Sequence, residues 1–154
     1  MARLTGTAVG RARAAHRLLF ILGTDYTSDF VPEFTSDRFC YADRDIIYLT
    51  SISQVHEATV ILEAWDGEPP TGPDAESAET TELELTSGRV YVCAMLEVRV
   101  SPVLTVGPPG RYAMRAEVAG RAELRERLAY QDMTESLNDI EHFRVRFWPV
   151  SSAG

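Results

Sequence analysis

The sequence has no lysine: all 15 of its cations are arginines, against 23 aspartates and glutamates. The formal net charge is −8 and the isoelectric point is about 4.9. Contacts to nucleic-acid phosphates need clustered cations, so this balance argues against binding to nucleic acid and favours a basic protein as partner. The use of arginine alone is typical of a GC-rich genome, and we expect a bacterial source.

Cysteines and long apolar runs are also scarce. Only Cys40 and Cys93 occur, both within apolar strand-like runs, and we expect buried free thiols rather than a disulfide. The run LLFIL at 18 to 22 is far shorter than the roughly 20 residues that span a bilayer, and no apolar segment precedes it. We therefore expect a cytoplasmic protein that does not contact a membrane.

The sequence lacks the common motifs of catalytic and cofactor-binding sites. It has no GxSxG elbow, and neither cysteine has a neighbouring histidine. Its three histidines stand in no HxH or HExxH arrangement. We therefore expect no cofactor, no metal and no catalytic residue, and we favour a protein that is not an enzyme. A metal site assembled across strands is the alternative, with His56 beside Glu57 or His142 beside Glu141.

Two alternating segments near the C-terminus carry the prediction of the fold. Every second residue is apolar from Tyr112 to Val118 and again from Phe143 to Phe147. This period of two is typical of half-buried strands. Paired antiparallel, the two segments would form a sheet with one apolar face and one wet face.

The remaining chain predicts further short strands separated by glycine and proline turns. These strands are expected near 16–22, 38–42, 46–52, 57–65, 80–86, 89–100 and 103–106. The segment 24–37 is interpreted as a long loop pinned by aromatics or as an irregular edge strand, and 66–80 as a loop. Leucines at helical spacing predict one helix within 121–137.

These elements predict a mainly all-β fold: an antiparallel β-sandwich of eight to nine strands with one short helix before the last strand. A small barrel is the alternative. We expect a single domain at 16–150 and a tail at 151–154. Residues 1–15 are expected to be a loosely held arm, with an ordered edge strand involving Leu4 and Val9 as the alternative.

The most unusual surface feature is a 22-residue stretch, from Glu63 to Glu84, that contains eight acids and no cation. A negative field of this kind steers a basic partner and raises its association rate. The alternative is a solvated loop that keeps the protein soluble. The predicted partner-binding residues are Glu63, Trp65, Asp66, Glu68, Asp74, Glu76, Glu79, Glu82 and Glu84.

Four arginines are predicted on the wet face of the two C-terminal strands: Arg111, Arg115, Arg144 and Arg146. Such a face can bind an anion, or it can be covered by carboxylates. We favour covering by the acids of the predicted helix, because a buried arginine face needs opposite charge to offset its desolvation. Those acids are Glu123, Glu126 and Glu135.

The segments GPPGRYAMRAEVAGR at 107–121 and EHFRVRFWP at 141–149 carry a resemblance. Their Pro-Gly turn, aromatic residue, alternating strand and closing Trp-Pro are similar to small actinobacterial β-sandwich proteins of unassigned function. More distantly, they resemble the competence-nuclease inhibitor (ComJ-type) family. That resemblance implies an acidic β-sandwich that blocks a secreted or membrane-associated nuclease, and it assigns no site residue.

Three hypotheses of function follow. The first is a non-enzymatic acidic protein-binding module, an inhibitor or immunity protein for a basic bacterial enzyme such as a nuclease. The second is a structural or assembly subunit that forms homo-oligomers through an edge strand or the N-terminal arm. The third is a small-ligand or metal-dependent enzyme with a pocket between the sheets.

Overall fold

The computed structural model describes residues 2–14, 16–35, 37–52, 56–72, 75–94, 98–129 and 138–150. Their elements are β1 (Leu4–Arg13), β2 (Leu18–Gly23), β3 (Cys40–Asp43), β4 (Ile46–Thr50), β5 (Glu57–Trp65), β6 (Ser77–Leu85), β7 (Arg89–Ala94), β8 (Val98–Arg99), β9 (Leu104–Thr105), β10 (Gly110–Ala119), α1 (Arg121–Ala129) and β11 (His142–Pro149). The prediction of an all-β, sandwich-like fold with one helix before the last strand is confirmed. The described residues form eleven strands rather than eight or nine, because β1 is ordered and the predicted strand 89–100 contains two strands, β7 and β8.

The first sheet has five strands in the order β1-β5-β11-β10-β6. As predicted, β10 and β11 pair antiparallel, with Met114 opposite Phe147. One pair departs from the antiparallel prediction, since β11 runs parallel to β5. Strands β5 and β6 therefore point the same way on either side of β11 and β10. Parallel strands require a crossover. Arg115 and Arg146 donate to the carbonyls of Pro69 and Pro70, so the described part of this crossover, residues 66–72, lies over the outer face of the sheet.

The second sheet has the order β3-β4-β2-β7-β8, with β9 also paired to β7. Its inner face packs on the inner face of the first sheet around large side chains such as Leu49, Met114 and Phe143. The outer face is apolar as well, and it carries a second cluster formed by Phe20, Leu22, Tyr41, Ile46, Tyr48 and Cys93.

Residues 4–13 form the edge strand β1, the alternative to the loose arm, and pair with β5 along their length. Their inward residues are small, including Ala8, Gly10 and Ala12. A Cβ at Gly10 would lie 2.9 Å from Cβ of Ser101, so this spacing lets β1 approach the second sheet closely. A strand of alanines and glycines carries little apolar periodicity, which is why the sequence favoured an arm. The division into a domain at 16–150 stays a prediction.

The helix begins directly after Gly120, whose φ of +84° suits glycine and where a Cβ would clash with the carbonyl oxygen of Ile140. Leu124 is its buried anchor. Residues 130–137 of the predicted helix, and the tail at 151–154, lie outside the described residues. Within the described chain, no helix has the length and apolarity needed to cross a membrane.

Candidate functional site

Every described carboxylate of the stretch 63–84 engages a group of the protein itself. Five of them form ion pairs with arginines: Glu63 with Arg144 and Arg146, Glu68 with Arg115, Glu79 with Arg38, Glu82 with Arg111, and Glu84 with Arg44. Asp66 accepts a hydrogen bond from the backbone N–H of Arg3 at 2.6 Å. Asp74 lies outside the described residues.

Glu76 has a distinct structural role at the start of α1. Its carboxylate accepts hydrogen bonds from the backbone N–H groups of Arg121 at 2.8 Å and Ala122 at 3.2 Å. The first N–H groups of a helix have no intrahelical partner, and the helix dipole favours a negative charge there. Glu76 therefore caps α1 from the neighbouring chain segment.

Two of the four arginines on the face of β10 and β11, Arg115 and Arg146, are covered, but by the crossover 66–72 instead of the helix. Arg111 and Arg144 keep 62% and 42% of their side chains exposed. Arg146, with 8% of its side chain exposed, lies 3.0 Å from Oε1 of Glu63 and 2.8 Å from Oε1 of Glu117. It also donates to the carbonyl of Pro70, and Arg115 donates to the carbonyl of Pro69.

Glu117, on β10, also holds the crossover against the sheet, because its carboxylate accepts a hydrogen bond from the N–H of Gly72 at 2.8 Å. The predicted cover by helix acids is wrong. Glu123 pairs with Arg127 within α1, Glu126 forms no ion pair with a described residue, and Glu135 is not among the residues described. The parallel direction of β5 and β6 is the physical reason, since it places the crossover on this face.

Trp65, a predicted partner-binding residue, belongs to the same cluster. Its indole N–H donates to Glu63 at 2.9 Å, and the Arg146 guanidinium lies 6.0 Å from its ring centroid. Trp65 is only partly exposed. The structure thus brings Glu63, Trp65 and Glu68 together around arginines. Their role in binding a partner stays a prediction.

A fully buried polar cluster, not anticipated from sequence, lies where β4 ends and β5 and β11 begin. His56 and Glu141 both have side chains with 0% exposure, and Nε2 of His56 lies 3.0 Å from Oε1 of Glu141. Ser51 donates to the same oxygen at 2.6 Å. Arg121 donates from Nε to the other oxygen at 3.0 Å, and also to the carbonyl of Thr50.

This cluster resembles a hydrolytic triad in composition only. In a triad the carboxylate orients Nδ1 of the histidine, and Nε2 faces the nucleophile. Here Ser51 and Glu141 both meet Nε2, while Nδ1 of His56 is buried without a hydrogen-bond partner among the described residues. With no exposed hydroxyl, the arrangement is a polar core that ties α1 to the sheets.

The suggested histidine pairings for a metal do not form. His56 contacts Glu141 rather than Glu57, and Nε2 of His142 lies 2.9 Å from the carbonyl oxygen of Asp139. In the part of the chain that the structure describes, no group of three or more His, Cys, Asp or Glu side chains could hold a metal ion. A cavity of about 260 Å³ does exist, but it lies beneath the crossover rather than between the sheets.

The two cysteines are buried and form no disulfide, as predicted. Burial raises the pKa of Cys40 to about 12; the charge of Glu79 adds to the shift and Arg38 opposes it. Nucleophilic attack needs the thiolate, which this pKa suppresses at neutral pH. Cys40 is therefore a packing residue.

On the outer face of the second sheet, away from the arginines of β10 and β11, residues 24–35 form a strap. The hydroxyl of Tyr48 donates to the carbonyl of Phe30 at 2.7 Å, and that of Tyr41 accepts from the N–H of Thr35 at 2.8 Å. The ring of Phe34 packs edge-on against both tyrosines, with centroid distances of 5.2 Å to Tyr41 and 5.9 Å to Tyr48. The loop pinned by aromatics, one of the two alternatives for this segment, is what the structure contains.

The strap is acidic, and its charges are not balanced. Asp25, Asp29 and Glu33 are exposed and form no ion pair with any residue described. Val31 and Phe34 remain 72% and 43% exposed beside them. Sequence reasoning missed this surface, although 24–37 shares the signal of the longer stretch: several acids and no cation.

Two solved structures share this fold over nearly the whole chain. ComJ from Bacillus subtilis, an inhibitor of the DNA-degrading activity of NucA, matches with a TM-score of 0.63 at 11% identity, covering 97% of this chain and 99% of that chain. The protein of crocagin biosynthetic gene J matches with a TM-score of 0.53 at 16% identity, covering 97% and 98%. No family model and no curated protein matches the sequence. At these identities the likeness establishes the fold alone, and to that extent the resemblance to the ComJ-type family is confirmed.

Proposed function

We propose that this protein is a non-enzymatic acidic binding module that inhibits a basic bacterial enzyme, with a nuclease as the leading candidate. The observation that carries the proposal is the presence of exposed carboxylates that no described arginine neutralises. The chain has a net charge of −8, and the exposed Asp25, Asp29 and Glu33 form no ion pair with any described residue. Such a surface attracts a cationic protein and repels nucleic acid.

The shared fold supports the same function. ComJ inhibits a DNA-degrading activity with a body of the same size and topology class. An inhibitor needs a rigid body and a complementary surface, and the ordered sandwich supplies the first. Its carboxylates compete with nucleic-acid phosphates for the cations of a nuclease.

The test is inhibition of purified basic nucleases from the same genome in a DNA-degradation assay. We expect stoichiometric inhibition by at least one of them at about 0.05 M salt, and much slower association at about 0.5 M salt. Absence of binding and inhibition across the set at low salt would sink the proposal.

A second function, assembly into homo-oligomers, is favoured by the edge strand β1. This ten-residue strand lies at one edge of its sheet, and Leu4 and Val9 on it are each 49% exposed. Long exposed edges can pair with the same edge of another copy. Light scattering tests this: a dimer that becomes a monomer in Val9→Lys supports it, and a monomer at all concentrations contradicts it.

A further inference from the structure

We infer that the strap, residues 24–35, is the surface on which the basic partner docks, with Phe34 and Val31 as apolar anchors. Asp25, Asp29 and Glu33 lie exposed on the same segment and meet the cations of the partner. This inference rests on the proposed function and locates its binding surface. The binding surface is then the strap and not the stretch 63–84.

The strap is held in place before any partner arrives. Tyr48 fixes its middle at the carbonyl of Phe30, and Tyr41 fixes its end at both the N–H and the carbonyl of Thr35. Nearer its start, the N–H of Tyr26 donates to the carbonyl of Gly23. A segment fixed at several points loses little conformational entropy on binding, so its contacts contribute more fully to affinity.

The exposed apolar groups lie between these fixed points. Phe34 packs edge-on against Tyr41 and Tyr48 and still leaves 43% of its surface in water. Val31 follows the pinned Phe30, precedes Pro32, and is 72% exposed. A rigid aromatic ring with a free face is the kind of side chain that dominates binding energy when a partner pocket covers it.

The negative charge of the strap indicates which kind of partner it binds. The strap acids take part in no ion pair among the described residues, and 24–37 contains no arginine or histidine. Arg38 lies beside the patch, with its guanidinium 4.9 Å from the ring centroid of Tyr41, but it is paired with Glu79. An apolar patch on a segment that carries only acids fits a protein surface with an apolar pocket bordered by arginines or lysines. A second copy of this chain fits poorly, because a two-fold interface would set the strap acids against the same acids.

The fold does not depend on the strap carboxylates, and this separates them from the structural acids Glu63 and Glu76. Glu63 holds Arg146 and Glu76 holds the first N–H groups of α1, whereas Asp29 and Glu33 hold no arginine or helix end among the described residues. Neutralising the strap acids therefore tests binding without disturbing the core. Glu82 and Glu84, in exposed ion pairs on β6, give a matched control with the same change in net charge.

The experiment starts with a photo-crosslinking residue at position 34 or 98 of the full chain, added to lysate of the host. The captured protein is then produced pure, and its affinity is measured for the wild type and for two charge variants, Asp29→Asn/Glu33→Gln and Glu82→Gln/Glu84→Gln. Two further variants remove exposed apolar groups: Val31→Ser on the strap, and Val98→Ser at the opposite edge of the second sheet. Val31 is exposed enough for its replacement to leave the fold intact.

We expect capture of a basic protein at position 34 and not at 98. Its affinity should fall about tenfold to thirtyfold for Val31→Ser and for Asp29→Asn/Glu33→Gln, and change less than about threefold for the controls. If the wild type binds tightly but the strap variants match it, or if Glu82→Gln/Glu84→Gln abolishes binding, the docking surface is elsewhere while the proposed function stands. If no basic protein binds the wild type, the proposed function itself fails.

Discussion

Two acidic segments lie on opposite outer faces of this protein and differ in what their carboxylates touch. In the stretch 63–84, each described acid meets an arginine or a backbone N–H group of the same chain. In the strap, Asp25, Asp29 and Glu33 form no ion pair with a described residue. The difference teaches that acidic density along a sequence does not measure free surface charge. The first segment stabilises the fold, and the second is available to a partner.

The largest expected effect comes from the buried ion pairs of the first segment. Replacing Arg146 by Met leaves the buried Glu117 without its cation and leaves Glu63 with Arg144 alone, so we expect a loss of about 3 kcal/mol in the free energy of unfolding. Urea denaturation measures it. Arg111→Met breaks an exposed pair with Glu82 and should cost less than about 1 kcal/mol. Equal losses would show that burial does not distinguish these arginines.

A smaller effect is expected at the N-terminus of α1. Glu76→Ala removes the acceptor of two helix N–H groups, and we expect a loss of about 1 kcal/mol in the free energy of unfolding. Asp25→Ala, an unpaired acid of the strap, is the control and should change stability by less than about 0.5 kcal/mol. A Glu76→Ala variant as stable as the wild type would contradict the capping role.

A third, pH-dependent effect is expected at Asp37, just beyond the strap. A hydrogen bond from Thr35, a backbone hydrogen bond and the charge of Arg38 lower the pKa of Asp37 below its ordinary value of 3.8. A depressed pKa stabilises the fold above the ordinary value, and that contribution is lost as pH falls through the folded-state pKa. Asp37→Asn should thus lower the urea midpoint slightly at about pH 7 and not at about pH 2. A midpoint difference that persists in acid would exclude this linkage.

The smallest expected effect is on the stability of the strap variant. Asp29→Asn/Glu33→Gln breaks no ion pair between described residues, so we expect a change of less than about 0.5 kcal/mol in the free energy of unfolding. Thermal and urea unfolding measure this change. A destabilisation above about 1 kcal/mol would place these acids among the structural ones and remove the contrast between the two segments.

Much of the fold could be predicted from local pattern. The alternation from Tyr112 to Val118 and from Phe143 to Phe147 placed β10 and β11 and their pairing, since side chains of a strand point alternately to its two faces. The buried thiols followed from their apolar neighbours. The parallel pairing of β11 with β5 could not be predicted, because the direction of a strand depends on the path of the whole chain.

The site was harder to predict for the same reason. Glu63 meets Arg146, and Ser51 meets Glu141, across more than 80 positions of sequence. No spacing rule connects such residues. The strap left a local trace, several acids and no cation, but only the arginines placed elsewhere by the fold separate free carboxylates from paired ones.

The sequence by itself determined an all-β body, buried thiols and a large excess of negative charge, because these depend on composition and on a two-residue period. Only the tertiary structure decided where that charge is exposed. Coulombic pairing depends on distance in space. The pairing of β5 with β11 brings Glu63 to Arg144 and Arg146, and the crossover brings Glu68 to Arg115, while the acids of the strap stay in water.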